Sequence, residues 1–328
     1  RRSRRCGASS QRRIRHRRKF WSEQSWHVSM TAQQRTAIDQ SVFDSAQIAN
    51  LLIEALPYIQ KFAGKTVVVK YGGNAIAGAN GDEGLSEFAK DIALLHAVGF
   101  KPVVVHGGGP QISAMMERLG KKPHFHNGLR VTDKETMEIV SMVLLGTVNP
   151  QLVSAINQHG APAVGVSGQD ANMFVVSPHD EALGFVGEIT KVDATIVKKM
   201  LAESQVPVVA TLGTDHAGQA YNINADTAAG ALAEALGAQK LIYLTDIAGV
   251  RANKDDAGSL LRQATTSQLR TLLGSGAIDG GMIPKIESCV AAIERGVFQA
   301  HILDGRIAHV LLLELFTDAG VGTMVSKG

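Results

Sequence analysis

Short apolar runs recur along this chain at 66–70, 102–106, 161–167, 206–212, 240–245 and 299–303, with stretches of helical period between them. Most of the runs are Val, Ile or Leu without polar alternation, the pattern of strands covered on both faces. Leu85, Phe88, Ile92 and Leu95 form an apolar stripe before Gly99. Thr132 and Glu135 have the spacing of a capping box, which predicts a helix through Val148. Further helices are expected at 192–202, 227–236, 267–273 and 282–295. Residues 173–188 read as a hairpin with Ser177, Pro178, His179 and Asp180 at its turn. This alternation predicts an α/β fold, an open and mainly parallel sheet sandwiched by helices with right-handed crossovers. Ligands of such sheets bind beyond the carboxyl ends of the strands.

Ahead of the first run, Val42, Ile48, Leu51, Leu52, Ala55 and Ile59 predict a helix over 37–62, which Pro57 should kink or divide. The net charge of +3 averages two unlike parts. Residues 1–29 hold ten Lys/Arg and one acid; of the chain totals of 33 and 30, that leaves 23 basic and 29 acidic residues for the rest. The acidic body and the low aromatic content of 5% argue against a nucleic-acid platform. The basic leader lacks the apolar stretch of a secretory signal. Its Arg-rich, acid-poor make-up leaves a mitochondrial-type presequence or a nucleic-acid arm open, and the blandest reading makes Met30 the true start. The leader is expected to be disordered in either case. No run of about 18 apolar residues occurs, so no transmembrane helix is expected. Cys6 and Cys289 cannot build a disulfide framework, which points to a reducing, cytoplasmic setting.

The glycines carry the chemistry. Gly64-Lys65-Thr66 is not the end of a P-loop, because the required first glycine falls on Ile59 and the segment precedes a strand. Two other loops do follow strands: 67–74, with Gly72 and Gly73, and 103–110, with Gly107, Gly108 and Gly109 before Pro110. Adjacent glycines at a strand end leave main-chain N–H groups open to an anion, and Pro110 suits the first turn of a helix whose dipole adds to the attraction. Lys70 should project into the same crevice. Lys285 sits near a helix start, where a cation is unfavourable unless an anion shares the site. Asp226 either caps the alanine-rich helix that follows it or holds the two lysines in position. His106 is equally compatible with a structural and a chemical role, and Met115, Met116 and Met142 read as core.

Together these residues resemble the amino-acid kinase family, most closely its acetylglutamate-phosphorylating branch. The carrying motifs are VVVKYGGNA at 67–75, VVVHGGGPQI at 103–112, NGLRVTD at 127–133, YNINAD at 221–226, LTDIAGV at 244–250, GGMIPK at 280–285 and ELFTDAGVGT at 314–323. They span the chain from about residue 37 to the end, and residues 1–29 have no counterpart. The resemblance implies a regulatory and oligomerising helix at 30–62, a lobe for N-acetyl-L-glutamate at 63–236, and an ATP lobe at 237–328. It implies transfer of the γ-phosphoryl of ATP, with Mg²⁺ as part of that substrate, onto a side-chain carboxylate in arginine biosynthesis. In that reading Lys70, Lys285, Asp226 and Gly73 act at the transferring group. Gly107, Gly108, Arg130 and Asn222 bind the acceptor. Gly72, Thr245, Asp246, Gly249, Gly281 and Met282 meet the nucleotide. An arginine-inhibited, hexameric branch is implied by the N-terminal helix, with Tyr58, His301, Glu314 and Gly320 at the effector, and a PII-type nitrogen-signalling partner is left open. No resident metal, nucleic acid or membrane partner is expected. Competing readings are a carbamate, aspartate or glutamate kinase of the same family, and a non-catalytic arginine sensor on the same fold.

Overall fold

The computed structural model describes residues 45–72, 82–253, 255–276, 278, 282–317 and 320–328. The leader, Gly73 and Gly281 lie outside the described residues. By contact the chain forms two compact units, one up to Leu52 and one from Ile53 onward.

In chain order the strands are β1 (Thr66–Tyr71), β2 (Lys101–His106), β3 (Phe125–His126), β4 (Leu129–Arg130), β5 (Ala163–Ser167), β6 (Phe174–Pro178) and β7 (Gly187–Val192). They continue as β8 (Val206–Ala210), β9 (Leu212–Thr214), β10 (Ala220–Asn222), β11 (Lys240–Thr245), β12 (Gln263–Thr265), β13 (Gln299–Asp304) and β14 (Thr323–Ser326). The main sheet runs β12-β14-β13-β11-β1-β2-β8-β5. All its pairings are parallel except β13–β14. The apolar runs account for its centre: β8 and β11 are buried at every position, and β1 and β2 at all but the first. β1 pairs with β2 on one side and β11 on the other, so one sheet joins the strands of 63–236 to those of 237–328.

Two apolar cores lie on opposite faces of this sheet. One gathers Val67, Val69, Tyr71, Ile242 and Leu244 with the helices Asp82–Ala97, Gly109–Arg118 and Val310–Leu315. The other gathers Val68, Leu241 and Tyr243 with the helices Thr195–Ala202, Ala225–Leu236, Thr266–Gly274 and Ile283–Glu294. Helices on both faces of a mainly parallel sheet are the expected architecture.

Several local expectations differ from the structure. The helix opening near Thr132 is capped by Asp133, whose carboxylate accepts the Thr136 amide at 2.8 Å, while Thr132 Oγ1 turns back to the Arg130 carbonyl. That helix does not stop at Val148 but runs Lys134–Gln158 through a π-helical segment, Leu144–Val148. It is long and apolar enough to cross a membrane, yet Ile139, Val140, Val143, Leu144, Leu152 and Ile156 are buried in the first core. Met142 points away from that core and is exposed, unlike Met116. The hairpin turn spans 179–186, longer than expected, and includes the turn Glu181–Leu183; Val192 ends β7 instead of starting a helix. The run 206–212 divides between β8 and β9, which belong to different sheets. Pro57 lies within one continuous helix, Ser45–Phe62, on which Leu51, Leu52, Ile53 and Leu56 are exposed.

Candidate active site

The carboxyl ends of β1, β2 and β11 open onto a cavity of about 340 Å³ lined by Lys70, Gly72, Gly107, Asp226, Asp246 and Lys285 among others. Lys70 stands one residue from the end of β1. Asp226 lies in the first turn of Ala225–Leu236, and Lys285 in the first turn of Ile283–Glu294. The Asn224 side chain accepts the Asp226 and Thr227 amides at 2.8 and 3.2 Å, so Asn224 caps the helix and the Asp226 carboxylate is not spent on that task. It takes the lysines instead: Lys70 Nζ lies 2.8 Å from Oδ1, and Lys285 Nζ 2.8 Å from Oδ2. Asp226 is buried; burial alone would raise its carboxyl pKa, but the two ammonium groups outweigh that and hold it below the usual carboxylate range. Two cations share one anion, so the cluster carries excess positive charge beside an open cavity.

The glycines are where chain crowding demands them. A Cβ on Gly72 would lie 2.8 Å from the Leu244 carbonyl oxygen and 3.2 Å from Lys70 Nζ. One on Gly108 would lie 2.8 Å from a Leu144 methyl carbon, so the π-helical segment presses on the second glycine loop. Pro110 stands in the first turn of Gly109–Arg118, as expected. His106 is fully buried: burial pulls its pKa down to about 4, against the Gly107 carbonyl. The neutral ring donates from Nδ1 to Gly107 O at 3.0 Å and accepts Asn149 Nδ2 at Nε2, also at 3.0 Å. It is a structural histidine that fixes the glycine loop.

On one side the cavity adjoins another of about 160 Å³, lined by Gly107, Gly108, Phe125, Arg130, Asn222 and Asn224 among others. Arg130 is buried, and the loss of solvent lowers its pKa. Its guanidinium donates to Gly109 O and Ser113 Oγ, both at 2.8 Å, and stacks over Phe125 at 4.8 Å from the ring centroid. Among the described residues it has no carboxylate partner. Asn222 donates to Thr132 Oγ1 at 3.4 Å.

On the other side, sharing Asp246, a cavity of about 230 Å³ is lined by Gly249, Arg251, Ile278, Met282 and Arg306 among others. Gly249 has φ of 142°, and a Cβ there would lie 2.6 Å from Thr323 Oγ1. Thr245 faces the central cavity and bonds to Asp246 at 3.2 Å. Among the described residues no three His, Cys, Asp or Glu side chains gather as metal ligands.

Tyr58, His301, Glu314 and Gly320 lie apart from these, around a cavity of about 200 Å³ that Lys61, Lys240 and Arg262 also line. His301 Nδ1 lies 2.7 Å from Glu314 Oε1, and Nε2 lies 2.8 Å from Lys240 Nζ. Burial pulls Lys240 down to about 8 and, with the Lys240 charge, outweighs Glu314 to keep His301 neutral at pH 7. Glu314 Oε2 accepts the Val321 amide at 2.9 Å.

The sequence reading missed Asn224, Ser113, Lys240, Arg251 and Arg306. Lys240 left a usable signal, a lysine heading an otherwise apolar strand, and so did Asn224, an asparagine just ahead of a helix; Ser113 meets Arg130 only through the fold.

Residues 65–304 match the Amino acid kinase family. An acetylglutamate kinase of Synechococcus elongatus is 50% identical over 283 residues, 86% of this chain and 93% of that one. Among solved structures, N-acetylglutamate synthase from Neisseria gonorrhoeae with coenzyme A and N-acetyl-glutamate superposes with a TM-score of 0.75 at 29% identity. The match covers 85% of this chain and 63% of the synthase. The same synthase with coenzyme A and L-arginine gives a TM-score of 0.73 at 27% identity over 85% of this chain and 65% of that one.

Proposed function

The chain belongs to the amino acid kinase family, and from that premise we propose that it moves the γ-phosphoryl group of ATP onto the side-chain carboxylate of N-acetyl-L-glutamate. The observation that carries the reading is the pair of ammonium groups on one carboxylate, Lys70 and Lys285 on Asp226. The pair sits between a cavity with a buried arginine and a cavity entered by Gly249. About 50% identity to acetylglutamate kinases over most of both chains supports the choice of acceptor.

The chemistry follows from charge. An ionised carboxylate is already a nucleophile at neutral pH, so no general base is needed. One carboxylate oxygen bonds to the γ-phosphorus as the bond to the bridging oxygen breaks, and ADP leaves with the electron pair. The obstacle is repulsion between two anions, which fixed positive groups relieve without reorganising. Lys70 and Lys285 neutralise the transferring oxygens, with the Gly72, Gly107 and Gly108 amides beside them, and Gly73 is assigned to the same task by the motif alone. Arg130 and Asn222 grip the acceptor's remaining polar groups. Thr245, Asp246, Gly249, Gly281 and Met282 take the nucleotide, which brings Mg²⁺ with it. The residues 63–236 supply the acceptor lobe and 237–328 the nucleotide lobe.

L-Arginine is the proposed inhibitor. Glu314 offers a carboxylate to its guanidinium, and Tyr58, His301 and Gly320 complete a cavity that opens beside the helix ending at Phe62. The related synthase bound to L-arginine supports this choice. The N-terminal helix is the proposed element of a hexamer.

Acetylglutamate-dependent ADP release with MgATP, against aspartate, glutamate and carbamate and with L-arginine titrated, tests the whole reading. Preference for acetylglutamate and sigmoidal arginine inhibition are expected. Preference for another acceptor overturns the substrate, and arginine sensitivity unchanged on deleting residues 31–60 overturns the proposed regulation.

A further inference from the structure

Asp226 is held twice. Its carboxylate takes the lysines, and its main-chain carbonyl takes a pair of linked hydroxyls. Ser288 Oγ donates to Asp226 O at 2.8 Å. Tyr243 Oη, 3.3 Å from the same carbonyl, donates its one proton to Ser288 Oγ at 2.6 Å and so orients the serine hydroxyl.

Each hydroxyl travels with a lysine. Tyr243 on β11 is the register partner of Lys70 on β1, so the two residues sit side by side under the start of Ala225–Leu236. Ser288 follows Lys285 by three residues in Ile283–Glu294, which places both on one helix face. The helix that carries Lys285 therefore also bonds the Asp226 main chain through Ser288, and the strand beside the one that carries Lys70 supplies Tyr243.

The helices approach closely to achieve this. A Cβ on Gly230 would lie 2.6 Å from Ser288 Oγ and 3.4 Å from Tyr243 Oη, so the hydroxyl pair fills space that any side chain at 230 would occupy. Tyr243 is fully buried, and burial raises its pKa well above the ordinary phenol value, so it remains a donor.

We propose that Tyr243 and Ser288 are positioning residues for phosphoryl transfer, anchoring the Asp226 carbonyl so that its carboxylate presents Lys70 and Lys285 to one phosphoryl group. The proposal rests on the kinase reading above. Neither hydroxyl touches a reactant; both act through Asp226. Small errors in placing charged groups are costly in such sites.

The test compares the full chain with Tyr243→Phe, Ser288→Ala, the double variant and Ser288→Thr. Each single loss is expected to lower kcat about tenfold with KM for both substrates within about twofold, and the double variant to lose less than the product of the two because the hydroxyls act as a unit. Ser288→Thr, which keeps the hydroxyl, is expected to recover most of kcat. A merely structural role would lower the melting temperature and leave kcat of the folded protein unchanged, which overturns the proposal. Tyr243→Phe removes one oxygen from a filled core and carries the test if Ser288→Ala does not fold. The ¹³Cε resonances of Lys70 and Lys285, assigned in labelled protein without substrate, supply a reading independent of the acceptor. They are expected to shift in both single variants, and unmoved resonances overturn the positioning role. A wild type without acetylglutamate-dependent ADP release, but whose lysine resonances respond in the variants, faults the choice of reaction and not the anchor.

Discussion

Two buried charge clusters sit on the same sheet and differ in one respect. Lys70, Asp226 and Lys285 meet at the carboxyl ends of the strands, on the face shared with Tyr243. Lys240, His301 and Glu314 meet at the other end of β11, beside Phe62. The second cluster is balanced: one ammonium, one carboxylate and a neutral imidazole between them. The first is not, because two ammonium groups face one carboxylate. Burying unmatched charge is costly. An uncompensated cation beside an open cavity suits the anionic reactants proposed for it, whereas the balanced cluster needs no anion and leaves the Glu314 carboxylate facing its own cavity, as the proposed cationic effector requires.

The largest effect should come from breaking the unbalanced cluster. Lys70→Met is expected to lower kcat about 10²- to 10³-fold, on the scale of losing one preorganised charge-stabilising group. Because it also removes excess charge, its denaturation midpoint should equal or exceed the wild type. A marked loss of stability would contradict the imbalance. The balanced cluster should respond in the opposite way. Glu314→Ala leaves the Lys240 ammonium without its counter-charge and is expected to cost about 3 kcal/mol in denaturant unfolding. Its arginine inhibition should disappear as well.

A pH titration sharpens the contrast at the glycine loop beneath the first cluster. The pKa of His106 is about 4 in the folded chain against an ordinary 6.5. The unfolded chain therefore binds the proton first, and stability should fall as pH drops from 6.5 toward 4. The full gap corresponds to about 3 kcal/mol as an upper limit. Equilibrium unfolding across that range checks the slope, and His106→Gln should flatten it. The smallest expected effect is at Arg130, which unlike Lys70 and Lys285 has no carboxylate partner among the described residues. Arg130→Lys keeps the charge but loses the planar fork; KM for acetylglutamate should rise about tenfold, and an unchanged KM would remove Arg130 from the acceptor site.

Much of this was legible beforehand because the relevant forces are short-range. Runs of Val at 67–69 and 103–105 can only be strands covered on both faces, and the structure leaves all six side chains fully buried. By sequence, glycines at 72 and 108 leave amides open to an anion, and the structure adds a second reason for them, the chain's own Leu244 carbonyl and Leu144 side chain crowding those positions. Errors arose where two residues compete for one task. Thr132 and Asp133 could each cap the following helix, and by sequence Asp226 stays open between capping its helix and holding the lysines, a choice decided by Asn224 being the cap. Sequence spacing does not choose between such neighbours; the direction from which the chain enters does. The continuation of the Lys134–Gln158 helix past Val148 was hidden as well; its π-helical turn lies against Gly108, a residue distant in sequence.

Alternating elements, the glycine loops at strand ends and the lysines at 70 and 285 belong to the amino-acid order itself, because periodicity and glycine geometry act within a few residues. That the two lysines meet on Asp226, that Asn224 releases Asp226 by capping in its place, and that Tyr243 and Ser288 hold the same residue from behind were decided only by the tertiary structure. Electrostatic and hydrogen-bond partnerships depend on distance in space, and residues 70, 226, 243 and 288 become neighbours only when β1 and β11 pair and the two helices close over them.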